Sequence, residues 1–288
     1  MAMTERTNTP RILVAGCGKL GGAIASLLSD SATVFGLRRN AAQVPAGIQG
    51  VKADLMAPES LEKAAPENLD LIVYCLTPAS YDEQGYQDAY VNGLSNLLDV
   101  VKGQPLARLV FISSTSVYSQ DDDSWVDETS PAQPSRFSGE QILAGERTAL
   151  DSGHPATIVR FSGIYGPTRQ RFLDEVIAGR MAPKKPAPFT NRIHEDDAAR
   201  VVQHLALKAL AGESLESLYV ASDSEPVRLD EVVEWVQAHT DCASPVDDAR
   251  TGGRAGSKRC RNQRLLASGF EFRFPDFRAG YRAMIAGR

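Results

Sequence analysis

Gly16-Cys17-Gly18-Lys19-Leu20-Gly21 spaces three glycines as G-x-G-x-x-G, and each glycine has its own physical task. Gly16 permits a sharp turn, Gly18 lets a bound group approach the backbone, and Gly21 lets a helix pack close to a strand. The chemistry this offers is anion binding. The amides and the positive end of a helix starting here face a pyrophosphate. The flanks give the spacing its meaning: residues 11–28, RILVAGCGKLGGAIASLL, read as a short buried strand, a tight turn and an apolar helix. Lys19, inside the loop, either adds a positive charge near the pyrophosphate or is simply exposed, the reading preferred for a lone lysine.

A second pair of residues bears on the ribose. In this arrangement a residue at the end of the second strand meets the adenosine ribose, where a carboxylate favours NAD and an arginine favours NADP. The chain places Arg38-Arg39 after Phe35-Gly36-Leu37, with no acid close by. Guanidinium groups bind phosphate through charge-assisted, often bidentate bonds. The reading is NADP ahead of NAD.

These residues need a scaffold, and the chain has one. Its 288 residues are 43% hydrophobic, enough for a substantial core. Strands and helices alternate through the first two thirds, which predicts a doubly wound parallel sheet of the α/β Rossmann type. Strands are expected at residues 32–37, 48–53, 69–77, 108–114 and 156–161. Tyr90, Leu94, Leu97, Leu98 and Val101 share one face of a long helix. A polar loop runs from Asp121 to Pro134, ahead of a helix near residues 136–151. Ala198, Val202, Leu205 and Ala209 mark another helix, and Leu229, Val232, Val233 and Val236 one more. Residues 251–264, rich in Gly and Arg, break the pattern and read as mobile. The expected layout is a dinucleotide domain over residues 1–165, rejoined by 190–222, with residues 166–189 and 223–288 forming a smaller substrate-binding region.

Composition narrows the partners. A net charge of −5 argues against nucleic acid or an anionic membrane. No apolar run approaches the roughly 20 residues that cross a bilayer. The first ten residues, MAMTERTNTP, lack the apolar core of a secretory signal and read as a frayed tail. Cys17, Cys75, Cys242 and Cys260 show no C-x-x-C spacing, which predicts free thiols in a reducing cytoplasm and no zinc site. Glu195-Asp196-Asp197 reads as acids complementing a helix dipole, not as metal ligands.

Further segments resemble the extended short-chain dehydrogenases/reductases, the NAD-dependent epimerase/dehydratase family. FISSTSVYS (111–119) is similar to its fifth-strand signature and RFSGIYGP (160–167) to the signature after the sixth strand. RIHEDDAARVV (192–202) is similar to the segment that returns to the large domain, and Ala53-Asp54-Leu55 to the adenine-contacting turn after the third strand. The resemblance implies roles. Asp54, Leu55, Leu76, Thr77 and Pro78 would line the cofactor. Ser114 would hydrogen-bond the reacting oxygen of the substrate, and Tyr165 would lie at the junction of cofactor and substrate. Tyr118 reads as ordinary packing. Dimers are usual in the family, so a homodimer is expected.

The glycine spacing departs from the family's usual G-x-x-G-x-x-G, and so does the catalytic helix. The family's chemistry uses Tyr-x-x-x-Lys, with the lysine and the cofactor ribose lowering the phenol pKa for proton exchange. In SRFSGEQILAGERTAL (135–150) those positions hold Ser138 and Ile142, and no tyrosine in the chain has lysine four residues later. Tyr165, Tyr81, His194 and Arg136 are the substitutes to weigh. Two functions follow: an NADP-dependent oxidoreductase or epimerase acting on a small hydroxyl- or carbonyl-bearing metabolite, or a sensor that binds NADP(H) without turnover. The basic residues Lys184, Lys185, Arg250, Arg254, Lys258, Arg259, Arg261 and Arg264 offer an anionic substrate a site, or form an exposed loop.

Overall fold

The computed structural model describes residues 9–252 and 256–288; the tail at residues 1–8 and Arg254 lie outside them. Strands β1 (Arg11–Ala15), β2 (Thr33–Arg38), β3 (Gln49–Lys52), β4 (Leu71–Tyr74) and β5 (Arg108–Ser114) come first. They are followed by β6 (Ser124–Val126), β7 (Ala156–Phe161), β8 (Gly163–Tyr165), β9 (Phe189–Thr190) and β10 (Arg192–His194). The last three are β11 (Leu218–Ala221), β12 (Val227–Arg228) and β13 (Lys258–Cys260).

Seven strands form one parallel sheet in the order β11-β7-β5-β4-β1-β2-β3. The order reverses between β1 and β4, which pair in parallel from Ile12↔Leu71 to Ala15↔Tyr74. In open α/β sheets that reversal opens a crevice at the carboxyl ends of the strands, where ligands bind. Ile12, Leu13, Val14, Leu71, Ile72 and Val73 are all fully buried. Burial on both faces explains why these strands read as continuous apolar runs and not as alternating ones.

The chain divides into two compact units. The first holds residues 1–112, 144–158 and 202–217. In it, helix α1 (Lys19–Leu28) buries Leu20, Ile24, Ala25 and Leu28, and α2 (Pro58–Ala64) starts on a proline at its first position. The long helix expected around Tyr90 is in three parts: α3 (Glu83–Gln87), a π-turn over Asp88–Asn92, and α4 (Gly93–Val101). An apolar spacing shared by all three parts hides that interruption.

The second unit holds residues 113–143, 159–201 and 218–288. It contains three two-stranded pairings: β10 with β8, β12 with β9, and β13 with β6. Its core gathers Tyr165, Leu173, Val176, Met181, Val232, Val236, Phe277 and Tyr281, drawn in part from the helices Leu229–His239 and Phe277–Ala286. Two expectations are corrected here. The loop between Asp121 and Pro134 contains β6, and the segment read as mobile contains β13, paired with it from Lys258↔Ser124 to Cys260↔Val126. Asp121 accepts from the Ser257 amide at 2.6 Å, so the acidic run fastens this strand pair. Polar composition concealed a backbone pairing that side chains reinforce.

Candidate functional site

The glycine loop joins β1 to α1. The Gly16 and Cys17 amides both donate to the Leu37 carbonyl, at 3.1 and 3.2 Å, which ties the turn to β2. Gly16 has φ +89, and a Cβ there would lie 2.2 Å from the Cys75 carbonyl oxygen. At Gly21 a Cβ would lie 2.3 Å from the Gly16 carbonyl oxygen. Gly18 differs: a Cβ there would meet nothing within 4 Å. Two glycines are therefore required by the protein's own backbone, while the middle one borders open space. Gly18 is also the N-cap of α1 and has no side chain to cap it. The first amides of a helix lack intrahelical acceptors, so this end is suited to an anion. That arrangement fits the pyrophosphate of a dinucleotide. Lys19 is exposed and Leu20 buried beside it.

Arg38, at the end of β2, is half-buried and turned to the loop. Its Nη1 donates to the Cys17 carbonyl at 3.2 Å and the Gln43 carbonyl at 3.1 Å, and its Nη2 to Gln43 Oε1 at 2.6 Å. Arg39 is exposed. Burial raises the Cys17 thiol above its ordinary range, with the Arg38 charge opposing. Asp54 accepts the Met56 amide at 3.0 Å, and Leu55 is buried, so this turn is built locally. Leu76 and Pro78 are half-buried and Thr77 exposed, directly after β4.

In the second unit, Ser114 caps a short 3-10 turn: its Oγ accepts the Ser116 amide at 3.1 Å. That bond uses a lone pair and leaves the hydroxyl proton available to a substrate oxygen. Tyr118 is buried as read. Its hydroxyl donates to the Asp127 carbonyl and accepts from Arg160, each at 2.7 Å. Lys258 is buried and donates to the Tyr118 carbonyl at 2.9 Å.

Tyr165 lies in the buried core of the second unit. It is 5% exposed, its hydroxyl has no partner among the described residues, and it lies on Gly280, where a Cβ would be 1.9 Å away. Burial raises its pKa, with the nearby Asp223 charge adding to the effect. His194 is buried, stacks on Phe274 with ring centroids 3.9 Å apart, and accepts the Asp196 amide on Nδ1 at 3.2 Å. Burial lowers its pKa, so it serves as a neutral cap for the helix that follows. Arg136 is exposed, and at the positions the resemblance implies for the tyrosine–lysine pair Ser138 is half-buried and Ile142 buried. Several of the described basic residues have partners within the protein. Arg250 pairs with Glu175 at 2.7 Å, Arg259 and Arg261 stack on Trp125, and Arg264 donates to the Leu218 carbonyl.

The sequence profile of the NAD dependent epimerase/dehydratase family matches residues 12–228. The chain belongs to that family. A solved structure described as a putative NAD-dependent epimerase/dehydratase from Methylobacillus flagellatus is 36% identical, with a TM-score of 0.83 over 97% of this chain and 99% of that one. Short-chain dehydrogenase/reductase family 42E member 1 of Bos taurus is 25% identical over 252 residues, 75% of this chain and 63% of the relative. The 2-alkyl-3-oxoalkanoate reductase of Shewanella oneidensis is 25% identical over 215 residues, 67% of this chain and 55% of the relative. The chain thus spans well under two thirds of the reductase's length and 63% of the bovine protein's. The match to the NAD dependent epimerase/dehydratase family covers both the glycine loop and the Ser114 turn after β5.

Apolar spacing places Tyr90 on one helix face but does not show that its ring stacks on Tyr86 with centroids 5.8 Å apart; their four-residue spacing is the signal in the sequence for that contact.

Proposed function

We propose that this chain is an NADP-dependent oxidoreductase that acts on a carbonyl or hydroxyl group of a small metabolite. The observation that carries the reading is the contrast within the loop: Gly16 and Gly21 are packed against backbone, and Gly18 alone borders open space at the switch point. Gly16, Gly18, Lys19, Leu20 and Gly21 would hold the pyrophosphate. Asp54, Leu55, Leu76, Thr77 and Pro78 would line the rest of the cofactor. Arg38 and Arg39 favour NADP, since a 2′-phosphate gives two guanidinium groups a shared acceptor. The bound dinucleotide would supply the hydride. Ser114 would orient the reacting oxygen through its remaining hydroxyl proton. The name of the Shewanella relative supports the carbonyl-reducing direction. The reading includes a homodimer in a reducing compartment, to be checked by analytical ultracentrifugation; all four cysteines are free thiols.

The test is a calorimetric titration with NADPH and NADH, followed by a panel of aldehydes and ketones monitored by NADPH absorbance. Tighter NADPH binding and turnover abolished by Ser114→Ala are expected. Binding of neither nicotinamide coenzyme would falsify the reading. One observation favours a second reading, a redox sensor without turnover: Ile142 is buried at the position of the missing lysine. Tight NADPH binding with no reduction of any panel member selects it.

A further inference from the structure

Three tyrosines form a file along the first unit. Tyr81 is 84% exposed, Tyr86 is buried and Tyr90 is half-buried. The rings of Tyr81 and Tyr86 meet edge-on at 5.8 Å, and their hydroxyls share a hydrogen bond. Tyr86 stacks on Tyr90, also at 5.8 Å. Tyr90 then meets Phe111 of β5 edge-on at 6.3 Å. Its phenol is within electrostatic reach of Cys75, the residue that follows β4. The file therefore runs from solvent to the carboxyl end of β4, beside the strand-order reversal where ligands of such sheets bind.

The backbone at Tyr90 is unusual as well. Tyr90 sits at the centre of the π-turn over Asp88–Asn92, whose closing bond runs from the Gly93 amide to the Asp88 carbonyl. Single π-turns inside helices occur frequently at functional sites, because the extra residue re-aims a side chain. Polar side chains hold this one: Asn92 Nδ2 and Gln84 Nε2 both donate to Asp88 Oδ1 at 2.8 Å.

We propose that Tyr90 is the proton donor of this chain, recharged from solvent through Tyr86 and Tyr81, in place of the absent tyrosine–lysine pair. The inference rests on the carbonyl-reducing reading above. In the step, a hydride from reduced nicotinamide forms the new C–H bond at the carbonyl carbon. The C=O π pair moves onto oxygen, and that oxygen takes the Tyr90 proton. The Tyr90 phenolate recovers a proton from Tyr86, Tyr86 from Tyr81, and Tyr81 from water. The balance consumes one carbonyl, one reduced nicotinamide and one proton, and yields an alcohol and oxidised nicotinamide. Burial raises Tyr86 to about 12 and Tyr90 further. Such a phenol is a poor base toward an alcohol but still gives its proton to an alkoxide, which is more basic. The phenol is therefore held in the protonated form that the reductive step uses.

The test uses the full chain with Tyr90→Phe, Tyr86→Phe and Tyr81→Phe. Each variant keeps its ring and loses one hydroxyl. NADPH affinity by calorimetry is expected to stay within about twofold of the unsubstituted chain. With an aldehyde panel headed by 4-nitrobenzaldehyde, Tyr90→Phe should lower kcat about 100-fold or more, the range of a lost general acid. Tyr86→Phe should lower it about tenfold and enlarge the solvent deuterium isotope effect, because reprotonation becomes slow. Tyr81→Phe, at an exposed position, should enlarge the same isotope effect and carries the relay test if a buried variant is unstable. Full kcat in Tyr90→Phe overturns the inference and leaves the dinucleotide reading standing. Unchanged isotope effects in the other two overturn the relay. No reduction by the unsubstituted chain overturns the inference, and absence of NADPH binding as well overturns the reading beneath it.

Discussion

The Tyr74 hydroxyl donates to the main-chain carbonyl of Ala89 at 2.7 Å, with both residues buried. In a regular α-helix that carbonyl would accept the Gly93 amide. Here the Gly93 amide turns to Asp88, and the side chain of Tyr74 on β4 takes up the released carbonyl. Gly93 is needed for the approach, since a Cβ there would lie 2.9 Å from the Tyr74 hydroxyl. A single phenol on the sheet thus completes the hydrogen bonding of the π-turn that carries Tyr90.

Tyr74→Phe should leave the Ala89 carbonyl buried without a donor. The expected cost is about 1–3 kcal/mol, the usual penalty for an unsatisfied buried group. Urea denaturation measures it. A variant as stable as the parent would mean that the π-turn does not depend on this bond.

The three loop glycines should separate fold from binding. Gly21→Ala forces a Cβ to within 2.3 Å of a carbonyl oxygen, and Gly16→Ala adds a positive φ to a 2.2 Å approach. Both should lower the melting temperature, because rigid backbone cannot yield as a flexible side chain can. Gly18→Ala meets nothing within 4 Å, so its melting temperature should stay within a few degrees of the parent. Its NADPH affinity should fall at least tenfold, as the new methyl occupies the pyrophosphate's approach. Equal NADPH affinity in Gly18→Ala would place the phosphates elsewhere.

How much of this was legible beforehand depends on the kind of signal. β1 and the glycine turn were legible because apolar run, turn and helix follow one another in fifteen or so residues and each has its own composition. The β6–β13 pair was not, because Ser124 and Lys258 are 134 residues apart in sequence and their strands are three residues each. Short strands held by Asp121 and Asp123 to Ser257 leave no periodic pattern. The surroundings of Tyr165 were illegible for a related reason. A motif fixes its position after β7 but not whether Gly280 and Tyr281 close over its ring. The π-turn was illegible in principle from apolar spacing, since one extra residue per turn shifts the helical phase without changing which residues are apolar.

Arg38 should matter twice over. Its bonds to the Cys17 and Gln43 carbonyls hold the glycine loop to the segment after β2, and under the proposed function its charge would meet a 2′-phosphate. Arg38→Ala should weaken NADPH by about 10-fold or more and NADH by less, because only the former loses a charge-assisted pair. Arg39→Ala should leave the loop bonds in place and affect NADPH alone. Paired titrations of both variants decide the matter, and equal losses for the two coenzymes in Arg38→Ala would assign that residue to loop support only.

Asp223 gives the chain a pH dependence with a definite sign. It is 1% exposed, and its Oδ2 has no hydrogen-bond partner among the described residues. Burial raises its pKa well above the carboxylate range, with Arg192 opposing less strongly. The folded chain therefore keeps a proton that the unfolded chain releases near its ordinary value of about 4. Its contribution is fully present below that pH and is lost as pH climbs through the folded value, since the folded state then binds more protons than the unfolded one. Asp223→Asn removes the titrating group and can still accept the Glu225 amide, which Asp223 Oδ1 now receives at 3.3 Å. At pH 4 parent and variant should be about equally stable. At pH 7 the variant should be more stable by about 1–3 kcal/mol, the scale of an unsatisfied buried polar group. Denaturation curves at the two pH values test this. A variant less stable than the parent at pH 7 would show that the charge pairing with Arg192 outweighs the cost of burial.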